Sequence, residues 1–192
     1  MSATARILAM AGSTRSDSYN KRLARLAAVG AAAVGAETRV IDLRDFQLPL
    51  FDQDLEAEQG PPENARALKA LFVESDGLLI ASPEYNSSIS GVLKNAIDWV
   101  SRPYPGEPPL VAFKGKVAAL LSASPGQLGG LRGLVHLRSI LGNIGVLVLP
   151  DQLAIPRASE AFAADGSLKD PKQAAAADIG RALATTAAKL KG

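Results

Sequence analysis

The feature that most constrains this chain is a series of five short apolar runs: RILAMA (Arg6–Ala11), TRVIDL (Thr38–Leu43), GLLIAS (Gly77–Ser82), KVAALLS (Lys116–Ser122) and GVLVL (Gly145–Leu149). Most are apolar nearly throughout, without strict alternation. A strand has this pattern when both of its faces are covered, which is the condition of a parallel sheet. Successive runs begin roughly thirty to forty residues apart, enough for the crossover that parallel neighbours require. Helical patterns fill the gaps. Leu23, Leu26, Ala27 and Gly30 share one face at i, i+3, i+4, i+7 spacing. Leu68, Leu71 and Phe72 mark a second helix, and Val92, Leu93, Ala96, Ile97 and Val100 a third. Leu131, Leu134, Leu137 and Leu141 mark a fourth, and Ile179, Leu183, Thr186 and Leu190 an alanine-rich fifth.

Strand and helix in strict alternation predict a doubly wound α/β domain with right-handed crossovers. Five strands and five helices fit the flavodoxin-like three-layer sandwich, with a five-stranded parallel sheet in the order 2-1-3-4-5. A length of 192 residues fits one domain over residues 1–192. Residues Phe46 to Pro62 and the stretch Ser101 to Phe113, with four prolines, have the composition of loops. Asp151 to Pro171 is the least regular segment. A net charge of +2 with scattered Lys and Arg argues against a nucleic-acid surface, which would show a clustered basic stripe. The absence of cysteine excludes disulfides, thiolate chemistry and cysteine-ligated zinc. No run of 18 apolar residues predicts a membrane span, and the N-terminal pattern predicts the cytoplasm.

In sheets of this order ligands bind beyond the carboxyl ends of the strands, where strand order reverses. Three loops meet that condition: Gly12–Asn20, Pro83–Ser90 and Ala123–Gly130. The first carries hydroxyls and amides at Ser13, Thr14, Ser16, Ser18 and Asn20, and a guanidinium at Arg15. Ser18 or Asn20 is placed to cap the following helix, whose free N–H groups favour an anion. These residue types fit a phosphate cradle; the alternative is an ordinary cap beside a solvated arginine. In the second loop Pro83 stiffens the strand exit, and Glu84, Tyr85 and Asn86 follow it. Backbone amides there suit the polar edge of a planar heterocycle with Tyr85 at its side, unless the tyrosine packs on its own domain. In the third loop small residues permit close backbone approach, and a plain connector is the alternative.

Other functional classes lose support at the same residues. GxxxxGK[ST] and GxGxxG are absent, which removes the triphosphate and dinucleotide readings. No GxSxG elbow follows a strand. A signalling receiver would need acidic residues after strands one and three, where this chain has MAGS and ASPEYN. An electron-carrying flavodoxin remains an alternative, disfavoured by the near-neutral charge.

The segments GSTRSDSYN, LPLFDQD, SPEYNSSISGVLKNAIDW and SPGQLGGLRGLVHLRSIL resemble the NADPH-dependent FMN reductases, a group that includes quinone, chromate and azo-dye reductases. The resemblance spans the chain to about Pro150. It implies that Ser13, Arg15, Ser18 and Asn20 hold the FMN phosphate. It implies that Pro83, Glu84, Tyr85 and Asn86 line the isoalloxazine and ribityl portion, and that Ser124 and Gly126 close the third side. NADPH or NADH is the implied co-substrate, a small electron acceptor the partner, and a homodimer or homotetramer the assembly. Lys94 and Asp98 are given a helix-stability or interface role. Val135 stands where some relatives carry an aromatic tetramer contact beside Arg132.

The chemistry implied belongs to the cofactor, with no catalytic side chain and no metal, and with reductant and acceptor alternating in a ping-pong cycle. The single histidine, His136, lies inside the fourth helix pattern and is assigned to packing or an interface.

Overall fold

The computed structural model describes residues 4–169 and 171–192. In chain order the elements are β1 (Arg6–Ala11), α1 (Tyr19–Ala32), β2 (Glu37–Asp42), a 3₁₀ turn (Leu43–Asp45), α2 (Gln53–Gln59), α3 (Glu63–Glu74) and β3 (Gly77–Ala81). They continue as α4 (Gly91–Val100), β4 (Val117–Ala123), α5 (Leu131–Asn143), β5 (Leu147–Ile155), α6 (Ala158–Ala161) and α7 (Lys172–Lys191). All strand pairs are parallel and the order is β2-β1-β3-β4-β5, as the apolar runs predict. The winding reverses between β1 and β3, so the loops leaving these two strands diverge and open a crevice.

Alternate residues of the central strands feed two separate cores. Ile7, Ala9, Leu79, Ala81, Val117, Ala119 and Leu121 face α1 and α7. Leu8, Met10, Leu78, Ile80, Ala118 and Leu120 face α3, α4 and α5. Helices α1 and α7 cross so closely that a Cβ on Gly30 would lie 2.1 Å from Ala177 O, and one on Gly180 1.8 Å from Ala27 O. Gly30 is therefore a contact point between helices, not only a position on an apolar face.

Several expectations are corrected. The edge strands β2 and β5 are half-buried or exposed at every position but Ile155, so cover on both faces holds only for β1, β3 and β4. The fifth strand runs on to Ile155, past Pro150, after two extra residues in its pairing with β4. Arg138 of α5 secures that irregularity by donating to Val148 O and Pro150 O at 3.2 and 3.3 Å. The Asp151–Pro171 segment thus holds strand and the short helix α6, although its Asp170 lies outside the described residues. The Phe46–Pro62 loop contains α2, which buries no residue and so carries no apolar periodicity to betray it. Leu131 and Leu190, expected on buried faces, are 42% and 58% exposed.

The long loops are docked by side chains of α3 and α4. Asn95 Nδ2 and Trp99 Nε1 both donate to Pro49 O at 2.8 Å, and Phe51 N–H donates to Asn95 Oδ1 at 2.8 Å. The buried Lys69 ammonium sits 3.6 Å from the Tyr104 ring centre and pairs with Glu107. Among the described residues, no helix is long and apolar enough to cross a membrane.

Candidate functional site

The loop after β1 is pinned from three directions. At its start, Gly12 N–H donates to Ala81 O (2.9 Å), and Gly12 O accepts from Ser90 Oγ (2.6 Å). Ser90 Oγ also accepts from Leu93 N–H and so caps α4. At its end, the buried Asn20 amide donates to Ala123 O and accepts from Ala123 N–H, both at 2.9 Å. In the middle, Arg44 Nε donates to Thr14 O (2.9 Å) and Arg44 Nη1 to Ser16 Oγ (3.1 Å).

Neither expected cap forms. Ser18 occupies the N-cap position of α1 without a side-chain bond to the helix, and Asn20 spends its amide on Ala123. The first turn of α1 also lacks an acidic residue. The start of α1 therefore has neither a side-chain cap nor a first-turn carboxylate to meet its free N–H groups. Ser13 is buried, and its Oγ accepts from Arg15 N–H at 3.3 Å. The Arg15 side chain is exposed and, among the described residues, has no ion-pair partner. A rigid loop presenting an unpaired guanidinium, spare hydroxyls and an uncapped helix start is chemically suited to a phosphate.

The loop after β3 makes a strained two-residue turn. Tyr85 and Ser88 exchange backbone hydrogen bonds of 3.0 Å, and Asn86 and Ser87 between them have φ of 50° and 66°. Left-handed backbone in a serine costs on the order of 1–2 kcal/mol, and such strain concentrates at functional sites. The turn leaves Tyr85 52% exposed, so it does not pack on its own domain. His136 is exposed rather than packed, and its Nδ1 lies 3.0 Å from Ser88 Oγ. Of its assignment to packing or an interface, this sets aside packing alone, and the Ser88 contact ties it to the loop after β3. Lys94 and Asp98 form an i,i+4 pair at 2.7 Å on α4.

Glu84 commits its side chain to the start of α5. Its Oε2 accepts from Gly133 N–H at 3.0 Å and its Oε1 from Arg132 Nε at 2.9 Å, which caps α5 from another element. Burial pushes this carboxyl up, but the Gly133 N–H and the Arg132 guanidinium outweigh it and hold it below the usual carboxylate range. Pro83 is buried at the strand exit, and both carboxylate oxygens of Glu84 are engaged at the start of α5.

The third loop is braced by the segment after β5. Ser124 N–H donates to Ile155 O (3.1 Å), Arg157 N–H to Gly126 O (3.2 Å) and Ala158 N–H to Ser124 O (3.0 Å). Ser124 Oγ accepts from Gly126 N–H at 3.3 Å. The close approaches made by Gly129 and Gly130 are to the chain itself: added Cβ atoms would lie 2.6 Å from Pro156 N and 1.8 Å from Ser122 Oγ. A Cβ on Gly126, by contrast, would meet Ser124 Oγ at an ordinary 3.7 Å. Ser122 Oγ is buried and without a hydrogen-bond partner among the described residues.

Sequence reasoning missed Arg44, Ser90 and Asn95 as anchors. The only local signal was SxxL at Ser90, a helix-start pattern.

A five-stranded parallel sheet of this order, with its crevice between the loops after β1 and β3, defines a flavodoxin-like α/β protein. The family model for NADPH-dependent FMN reductase matches residues 5–160. An NAD(P)H-dependent FMN reductase of Pseudomonas aeruginosa is 41% identical over 173 residues, covering 90% of this chain and 89% of that protein. A quinone reductase of Escherichia coli K12 is 36% identical over 149 residues, covering 78% and 76%. The solved structure of FerB, a flavoenzyme NAD(P)H:(acceptor) oxidoreductase from Paracoccus denitrificans, superposes with a TM-score of 0.79 at 33% identity, covering 97% and 98%. The chain belongs to the NADPH-dependent FMN reductase family and is an oxidoreductase that works with FMN and NAD(P)H.

Proposed function

We propose that the chain, as one FMN-binding domain over residues 1–192, passes a hydride from NAD(P)H through FMN to a small oxidised acceptor of the quinone, chromate, azo or flavin class. The observation that carries this reading is the unpaired Arg15 guanidinium on a loop immobilised at Gly12 and Asn20, beside an uncapped α1. The quinone reductase and NAD(P)H:(acceptor) oxidoreductase relatives support the acceptor class.

When bound, FMN would supply the two-electron chemistry, and the chain would supply binding and orientation. Ser13, Arg15 and Ser18 would hold the phosphate, with Asn20 fixing the loop that carries them. Tyr85 and the main chain of Pro83, Glu84 and Asn86 would line the flavin, and Ser124 and Gly126 the opposite side. Reductant and acceptor would use one open face in turn. No cysteine exists, and His136 is engaged with Ser88, so protons would come from water, a backbone N–H or the Tyr85 hydroxyl. The exposed Leu128, Leu131 and Val135 near the start of α5 support a homodimer or homotetramer covering that end.

The spectrum of the purified protein tests the reading. A yellow preparation that NADPH bleaches within the mixing time scale of turnover is expected. A preparation that stays colourless after incubation with excess FMN overturns it. A yellow protein bleached only when a separate reductase is added would be an electron carrier instead.

A further inference from the structure

Arg44 follows β2 in the 3₁₀ turn and belongs to none of the loops that define the crevice. Its side chain nevertheless reaches 30 residues back in sequence to Thr14 O and 28 back to Ser16 Oγ. These are directional bonds from two arms of one planar fork, which a lysine cannot reproduce.

Neither neighbouring acid forms an ion pair with this charge among the described residues: Asp45 follows it directly without pairing, and Asp42, two residues before it, is held elsewhere. Asp42 accepts from the Arg44 backbone N–H at 2.9 Å, and its other oxygen is taken by the buried Lys21 ammonium. Burial raises the Asp42 carboxyl, while the Lys21 ammonium, the Arg44 N–H and, through space, the Arg44 guanidinium lower it by more; its close partner is Lys21. Among the described residues the Arg44 guanidinium has no ion-pair partner.

The two acceptors matter chemically. A carbonyl oxygen facing an anion site repels the anion; Arg44 occupies that of Thr14. A serine hydroxyl both donates and accepts; once its oxygen accepts from Arg44, its proton is left for another acceptor and polarised toward it.

We infer that Arg44 is a positioning residue of the phosphate loop, one that masks the Thr14 carbonyl, commits Ser16 as a donor to the phosphate and places a second unpaired cation beside Arg15. This rests on the FMN reading above, and its test separates the two.

FMN and riboflavin, which lacks the phosphate, are titrated into apoprotein by fluorescence quenching at low salt, for the wild type, R44A, R44K, S16A and R44A/S16A. R44A is expected to weaken FMN about tenfold while changing riboflavin less than twofold, at an unchanged apoprotein melting temperature. In the S16A background the same substitution is expected to cost less than threefold, because the hydroxyl it orients is gone. R44K is expected to fall between wild type and R44A for FMN alone, and it decides the matter should R44A not fold. An R44A affinity for FMN within twofold of wild type overturns the inference. So does an equal loss for both flavins, or an undiminished loss in the S16A background. A wild type that binds neither flavin is a different result, and it overturns the functional reading and this inference together.

Discussion

Asn20 and Ala123 exchange two hydrogen bonds of 2.9 Å across 103 residues of sequence, joining the start of α1, just past the loop after β1, to the end of β4. Both partners are buried. Asn20→Ala leaves the Ala123 N–H and C=O unpaired, at about 1–3 kcal/mol for each orphaned group. We expect a clear drop in the urea midpoint of the apoprotein, with FMN affinity falling as the first and third loops separate. An apoprotein of unchanged stability that loses FMN would instead make Asn20 a direct phosphate ligand.

Arg15 is the opposite case, exposed and free of any acidic partner among the described residues. Arg15→Ala should leave apoprotein stability within about 0.5 kcal/mol of wild type, as surface changes usually do. FMN binding should weaken by about 1.5–3 kcal/mol through loss of a charge-assisted hydrogen bond. Equilibrium titration reads the second quantity, and an unchanged dissociation constant would count against the cradle.

Gly130 sits at φ 91° with Ser122 Oγ where its Cβ would be. Gly130→Ala should cost about 1–2 kcal/mol for the backbone conformation, and about 1–3 kcal/mol more for overpacking. Adding Ser122→Ala should restore part of that, because the nearest obstacle is removed. Ser122→Ala alone deletes a hydroxyl with no partner and should be nearly neutral in a denaturation experiment. If it abolishes flavin binding instead, that hydroxyl belongs to the site.

Glu84 should make stability sensitive to acid, because Gly133 N–H and Arg132 hold its carboxylate. Its folded pKa lies below its ordinary value, so its contribution is complete above the unfolded pKa of about 4.3 and fades as pH falls through the folded value. Glu84→Gln should be less stable than wild type at pH 7, with the gap closing as pH drops below about 4. Urea midpoints measured from pH 7 down to pH 3 check this; parallel curves would show that the carboxylate is not linked to folding.

Much of this molecule was legible one residue at a time. The apolar runs that became β1, β3 and β4 announced a buried parallel sheet, because a strand covered on both faces has no polar side to show. That sheet in turn located the crevice, since its order places β1 and β3 side by side. Where burial is partial the signal faded: α2 rests on the surface, and the outer half of β5 carries Pro150, Asp151 and Gln152 along an edge.

What the sequence by itself determined was the architecture, the crevice at which a site is proposed and the residue types of its three loops, because local periodicity reports which faces are buried. Which polar groups remain free was decided only in three dimensions. Asn20, Arg15 and Glu84 look equally available in one dimension, yet Ala123 claims the first, Arg132 and Gly133 claim the last, and Arg15 alone is left unpaired. The partners lie tens of residues away, and a buried polar group must be satisfied by whatever the fold brings beside it.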